Sequence, residues 1–491
     1  MRIVIVSPEA VPFAKTGGLA DVAGALPGEL AELGHEVRLV MPLYRMVRDR
    51  GFAPPAIDKT VRILVGERTV EGSIHVMESP NPDGRFTTIF IGNSEFFDRE
   101  GLYGIKGEDF PDNASRFVFF SRAVLEALKA VDFIPDIIHV NDWQSGLIPL
   151  YLKSVYDLDP HYRRTSSVLT IHNLGYQGLF WHLDMPLVGV GWDYFTPEGI
   201  EFYGKISFLK AGMVTADVIN TVSETYAEEI QTPEQGFGMD GILRSRTRDL
   251  FGILNGIDVN EWNPETDTYI PKNYSADDLS GKSENKRALL SEFYLPENMD
   301  VPLIGIISRL ADQKGFDILA DALEQIMELN VMMVILGTGD RRYHDLMTDM
   351  GKRYPMKMGV KLAYDNRLAH LIEAGADMFL MPSRYEPCGL NQMMSMRYGT
   401  VPVVRATGGL KDTVIGYSEK KETGTGISFG PYTPEELFGA VKKAVDLFGK
   451  PDHWNRIIRN GMSADFSWRA SAKKYENLYH RALKKRVDEG A

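Results

Sequence analysis

The chain is poor in several things, and each shortage excludes a class. It has one cysteine, Cys388, so no intrachain disulfide can form and a cysteine-rich metal site is ruled out. It has no uninterrupted apolar run of the roughly 18 residues that a membrane-spanning helix needs. The apolar stretch after Met1 is short and runs straight into a strand-like pattern, unlike a signal peptide. There is no H-E-x-x-H pattern for a zinc site. Positive charge is also scarce: the formal net charge is −13, a surface that repels polyanions. Nucleic acid and anionic membranes are therefore disfavoured as partners, and any phosphate site must be local, built from a few cations and backbone N–H groups. The expectation is a soluble cytoplasmic protein.

What is present is an ordinary globular balance, 44% hydrophobic and 25% charged over 491 residues. At roughly 100–200 residues per domain, two or three domains are expected. Short β-branched runs alternate with longer amphipathic ones. Arg2–Val6, Glu36–Met41, Ile137–Val140, Ser167–Ile171 and Val218–Val222 read as strands buried on both faces, with helices such as Ala20–Leu33 and Asn113–Leu128 between them. The second half repeats the logic, with strands at Leu303–Ile307, Met332–Leu336, Met378–Met381, Val401–Val404 and Gly426–Phe429. The order β, α, β, α implies α/β units with parallel sheets. Glu261–Pro302, rich in Asn, Pro, Asp, Ser and Lys, has the composition of a loop or connecting region. Thr16-Gly17-Gly18-Leu19 recurs as Thr407-Gly408-Gly409-Leu410, each time after a strand, as two similar units would show.

Five segments carry candidate chemistry, all at strand ends, where open α/β sheets bind ligands. In Lys15-Thr16-Gly17-Gly18-Leu19-Ala20-Asp21, two glycines let a ligand approach the backbone and a helix N-terminus offers partial positive charge. The segment is not the G-x-G-x-x-G fingerprint, so no nicotinamide cofactor is indicated. Ser308–Gly315 supplies Arg309 and Lys314, two cations suited to charge growing on a leaving diphosphate. Pro382–Gln392 places Glu386 at a strand end, just before the helix start at Gly389-Leu390-Asn391. Its carboxylate could accept hydrogen bonds from sugar hydroxyls. Ile138–Gln144 contributes Asp142, with Trp143 as a packing or stacking ring, and Thr170–Asn173 contributes His172 and Asn173. Each segment alone is also what a solvated or capping loop would show. Cys388 has no evident catalytic partner and reads as a buried thiol. Asp157-Leu158-Asp159 is a D-x-D, but it reads as an exposed turn.

Together these segments resemble the bacterial glycogen synthase and plant starch synthase family, most specifically at Lys15–Asp21, Ser383–Leu390 and Thr407–Leu410. The resemblance runs along nearly the whole chain. It implies the α/β GT-B fold, two Rossmann-like domains whose parallel sheets face across a deep cleft. The domains would span 1–253 on the glucan acceptor side and 254–465 on the donor side, with a last helix, 466–491, returning to the first. It implies a retaining glucosyltransferase moving glucose from ADP-glucose to the non-reducing end of an α-1,4-glucan such as glycogen, with no cofactor or metal. It places Lys15, Gly17, Gly18, Asp21, Gly389, Leu390 and Asn391 on the donor, and Asp142, His172 and Asn173 around the transferred glucose. Arg309, Lys314 and Glu386 complete the catalytic set. Asn391 departs from the threonine expected there. A stretch around Phe97 and Tyr103 resembles one carrying an aromatic on the glucan side. The alternatives are another GT-B transferase using UDP-glucose, or a non-catalytic glucan-binding protein. Relatives of the sucrose-phosphate type carry a second Glu eight positions after the first; here that position is Met394.

Overall fold

A computed structural model describes residues 1–79 and 86–489. The chain divides into two compact units, one of Met1–Val222, Ala227–Ile253 and Trp468–Ala491, the other of Ser223–Tyr226 and Leu254–Ser467.

The first unit is built on a nine-stranded sheet: Arg2–Val6 (β1), Glu36–Pro42 (β2), Ala56–Val65 (β3), Arg68–Glu78 (β4), Thr87–Gly92 (β5), Ile137–Asn141 (β6), Ser166–Ile171 (β7), Val218–Thr221 (β8) and Leu250–Gly252 (β9). Their order is β9-β8-β7-β6-β1-β2-β5-β4-β3. From β9 to β5 all pairings are parallel, and β3, β4 and β5 form an antiparallel meander. The parallel strands are apolar on both faces because helices cover both. The meander escapes an apolar-run reading. Its β3 interleaves Asp58, Lys59 and Arg62 with Val61, Ile63 and Val65, and only the latter face is buried.

The last helix, Trp468–Glu489, packs within this unit. Tyr475 and Tyr479 are fully buried. The Tyr479 hydroxyl lies 2.9 Å from Nδ1 of His139 on β6, and the Asn220 amide on β8 donates to the Tyr475 hydroxyl at 3.2 Å. His35 meets Glu476 at 3.0 Å, and Arg469 meets Glu32 at 2.8 Å.

The second unit has six strands: Leu303–Ile307 (β10), Met332–Leu336 (β11), Met358–Lys361 (β12), Met378–Met381 (β13), Val401–Arg405 (β14) and Ile427–Phe429 (β15). They are ordered β12-β11-β10-β13-β14-β15, all parallel. Side-chain alternation splits the core in two. Ile304, Ile306, Met333 and Ile335 face one helical layer, and Leu303, Met332, Val334 and Phe379 face the other.

Two expectations are corrected here. Glu261–Pro302 is not all loop: Ser280–Glu292 is a helix that buries Leu289 and Leu290 against the sheet and sets Lys286 2.7 Å from Asp377. Its apolar face is only two leucines wide, so composition concealed it. The Thr-Gly-Gly-Leu echo does not mark equivalent places either. The first copy follows β1, where the first unit's sheet turns outward in both directions. The second follows β14, two strands away from the corresponding β10.

Candidate active site

In the first unit the loop after β1 is organised by Glu9, which sequence reading overlooked. Glu9 is buried. Its carboxylate accepts the backbone N–H of Thr16, the Thr16 hydroxyl at 2.9 Å, the N–H of Gly17 at 3.3 Å and the Tyr103 hydroxyl at 3.2 Å. Burial raises its pKa, and the donors from Thr16, Gly17 and Tyr103 oppose that rise. Glu9 therefore fixes the approach to the helix Gly18–Glu32, whose N-terminus no side chain caps. Gly17 adopts an extended backbone, and a Cβ there would meet nothing within 4 Å among the described residues. The folded chain itself does not need glycine at that point. Lys15 bonds Asp21 at 2.7 Å, so the two charges of this motif are paired with each other.

Asp142 opens a short helix directly after β6 with φ +55, a left-handed conformation that costs a non-glycine residue about 1–3 kcal/mol. The twist turns its carboxylate toward the end of β7. There it accepts the backbone N–H of His172 at 2.7 Å and that of Asn173. Burial pushes Asp142 up to about 7, against these two donors and with help from the Glu9 charge. His172 is driven down to about 3 by burial and is therefore neutral. Its Nε2 lies 2.8 Å from Oδ1 of Asn141, whose amide nitrogen donates to the Val6 carbonyl at 3.0 Å. That orientation assigns the imidazole proton to Nε2 and leaves Nδ1 as an acceptor. Asn173 caps its own turn, accepting from the N–H of Gly175 at 2.9 Å.

Of the two roles open to Trp143, the structure shows packing. Its ring lies 4.9 Å from Phe117 and 5.7 Å from Phe180, with Gly178 pressed against its face. Phe97 is fully buried among Tyr44, Phe96, Phe119 and Phe120. Tyr103 is held by Glu9.

In the second unit the loops after β10, β13 and β14 interlock. The Lys314 ammonium donates to Glu386 at 2.6 Å, and the Ser383 hydroxyl donates to the same oxygen at 3.0 Å. Glu386 is buried, with Lys314 partly covered. Gly315 has φ +80, and a Cβ there would lie 2.0 Å from the Pro382 carbonyl oxygen. Gly408 has φ +44, and its Cβ would lie 2.0 Å from the Glu386 carbonyl oxygen. These two glycines let the neighbouring loops close on the Glu386 segment from both sides. Arg309 is exposed at the end of β10 and reaches Gln313 only at 3.4 Å. Gly389 has φ +71 and packs against Gln392, ahead of the helix Asn391–Arg397, whose Leu390 N-cap has no side-chain bond. Cys388 is buried and pushed up to about 12, so its thiol stays protonated and unreactive. Asp159 of the D-x-D is bound to Lys129 at 2.9 Å, beside an exposed Leu158.

The second unit thus pairs an ammonium with a buried carboxylate beyond its strand ends, with the exposed Arg309 on the Lys314 loop, and the first unit sets a neutral histidine beside an aspartate. Known proteins resemble the chain along nearly its whole length. Residues 2–245 match the model for the starch synthase catalytic domain, and residues 291–461 that for glycosyl transferases group 1. The glycogen synthase of Koribacter versatilis is 48% identical, covering 99% of this chain and 99% of its own. That of Syntrophotalea carbinolica is 46% identical, covering 98% and 99%. The chain belongs to the glycogen and starch synthase family. Among solved structures, the catalytic domain of starch synthase IV from Arabidopsis thaliana, bound to ADP and acarbose, matches this glycogen and starch synthase relative with a TM-score of 0.89 at 32% identity, over 98% of this chain and 99% of that one. The fold is GT-B. A sucrose-phosphate synthase from Thermosynechococcus elongatus, with a TM-score of 0.59 at 18% identity, shares the fold alone. As a member of the synthase family the chain is a glycosyltransferase. Among its described residues no helix is long and apolar enough to cross a membrane.

Proposed function

We propose that the chain transfers glucose from ADP-glucose to the non-reducing 4-hydroxyl of an α-1,4-glucan, keeping the anomeric configuration. The observation that carries this reading is the buried Glu386–Lys314 contact of 2.6 Å at the end of a parallel-sheet strand, with Arg309 on the neighbouring loop. Arg309 and Lys314 meet the diphosphate and stabilise the charge that builds on departing ADP, so no metal or other cofactor is called for. Backbone N–H groups of Gly389, Leu390 and Asn391 add to the same anion site. Glu386 orients Lys314 and accepts donor hydroxyls.

On the first unit, the free Nδ1 of neutral His172 accepts a glucose hydroxyl. Asp142 holds His172 and Asn173 by their backbones and faces the transferred sugar. Gly17 and Gly18, placed by Glu9, leave room for the donor, with Lys15 and Asp21 at its edge. A reducing cytoplasm suits the single buried thiol. An ADP-bound relative supports adenine as the base.

The test mixes the protein with glycogen and either ADP-glucose or UDP-glucose and follows nucleoside diphosphate release. The expected result is glycogen-dependent release of ADP and little of UDP. Faster release from UDP-glucose would overturn the donor assignment, and release from neither would overturn the enzyme reading.

A further inference from the structure

Lys314 is flanked by two carboxylates of its own segment. Asp312 opens the turn Asp312–Lys314, two residues before the lysine, and Asp317 lies three residues after it, in the first turn of the helix Phe316–Glu328. Each is a natural competitor with Glu386 for the ammonium. Yet among the described residues Lys314 pairs with neither, and it donates to Glu386 at 2.6 Å.

Both aspartates are already occupied, and in the same way. Asp312 accepts the Tyr343 hydroxyl and the Arg342 guanidinium, and that guanidinium lies 4.5 Å from the centre of the Tyr343 ring. Asp317 accepts the Tyr432 hydroxyl and, at 2.6 Å, the Arg384 guanidinium, which lies 4.8 Å from the centre of the Tyr432 ring. In each case a ring steadies the guanidinium, and phenol and guanidinium together fill the carboxylate. The two clamps come from three places in the chain. Arg342 and Tyr343 belong to the helix Arg341–Arg353, Arg384 precedes Glu386 by two residues, and Tyr432 follows β15.

Arg384 also joins the two loops through its backbone. Its N–H donates to the Gln313 carbonyl at 2.9 Å, and its carbonyl accepts from Arg405 of β14 at 2.6 Å. Those bonds do not need the guanidinium. The Arg384 side chain is 54% exposed, and an ion pair so open to water adds little to stability. What the guanidinium governs is a choice of partner. While it fills Asp317, Lys314 is left to Glu386; without it, a bare carboxylate stands three residues away to draw the ammonium aside.

We propose that Arg384 and Arg342 are positioning residues, which occupy Asp317 and Asp312 and so keep the Lys314 ammonium directed at Glu386 and the donor diphosphate. This rests on the reading of Lys314 as a cation for that diphosphate. The test is ADP affinity, measured by calorimetry with no glucan and no sugar donor, in the wild type, Arg384→Ala, Arg384→Lys, and Arg384→Ala combined with Asp317→Asn. We expect Arg384→Ala to weaken ADP about tenfold, about 1.4 kcal/mol, because the bared Asp317 takes up Lys314. Adding Asp317→Asn removes that competitor and should bring the affinity back to within about threefold of wild type. Arg384→Lys, which still fills Asp317, should keep most of it. A residue needed only for the fold would lose affinity equally with and without Asp317→Asn, and that outcome overturns the proposal. If Arg384→Ala fails to fold by circular dichroism, Arg342→Ala with and without Asp312→Asn decides by the same pattern. Lys314→Ala keeps the two failures apart. ADP bound as tightly by Lys314→Ala as by the wild type refutes the diphosphate reading and the proposal with it, whereas affinity unchanged in Arg384→Ala alone refutes only the proposal.

Discussion

At the scale of single residues, the Glu386–Lys314 pair and Asp142 make the sharpest claims. Removing either partner of a buried charge pair leaves the other uncompensated, and in the proposed function Lys314 meets the diphosphate while Glu386 orients it. Glu386→Gln and Lys314→Ala should each lower glucose transfer by about 100-fold or more, with the circular dichroism spectrum unchanged. Turnover within a few-fold of wild type would remove that residue from the mechanism. Asp142 yields a pH prediction. Its folded pKa, about 7, stands above the ordinary 3.8, so the folded state binds the proton more tightly than the unfolded chain. The stability this contributes is full below 3.8 and is lost as pH rises through 7, in total up to ~4 kcal/mol. The urea midpoint of wild type should therefore fall relative to that of Asp142→Asn between pH 4 and 7, then run parallel to it. A constant gap across that range would contradict the assignment. Glu9 shows why part of the site was hidden. It lies six residues before Lys15, in no glycine motif, and it acts through backbone donors that only the folded loop brings to it. Had the motif been searched for something to anchor its turn, an acid shortly before it was the available signal.

At the scale of elements, the loops after strands are fixed by glycines of two kinds, and substitution separates them. At Gly408 an added Cβ would strike the Glu386 carbonyl oxygen in a left-handed backbone. Gly408→Ala should cost about 2–4 kcal/mol by displacing the Glu386 loop, seen as a lowered melting temperature. At Gly17 the space is open and the backbone extended. Gly17→Ala should keep the melting temperature and raise the KM for ADP-glucose, because the glycine leaves room for the ligand rather than for the protein. Coincident loss of stability and activity at Gly17 would refute that. The same contrast explains what sequence could reveal of the fold. Strands buried on both faces, such as Ile137–Asn141 and Leu303–Ile307, show as plain apolar runs. The alternating meander of Ala56–Val65 and Arg68–Glu78, and the helix Ser280–Glu292 with its narrow apolar face, look like surface by composition and gain their identity from pairing.

At the scale of the whole molecule, the division into two α/β units and the family were legible because the motifs sit at strand ends in a fixed order along the chain. The return of Trp468–Glu489 to the first unit is a tertiary fact, made by Tyr475 and Tyr479 against β6 and β8, and no periodicity announces it. The central claim is that this chain builds α-1,4-glucan from ADP-glucose. The measurement closest to that claim incubates the protein with glycogen and ADP-glucose labelled in the sugar, then digests the polymer with an amylase specific for α-1,4 bonds. The expected result is label in the glycogen, released by the amylase as maltose, and almost none with Lys314→Ala. Glycogen left unlabelled by the wild type, or labelled equally by Lys314→Ala, would contradict it.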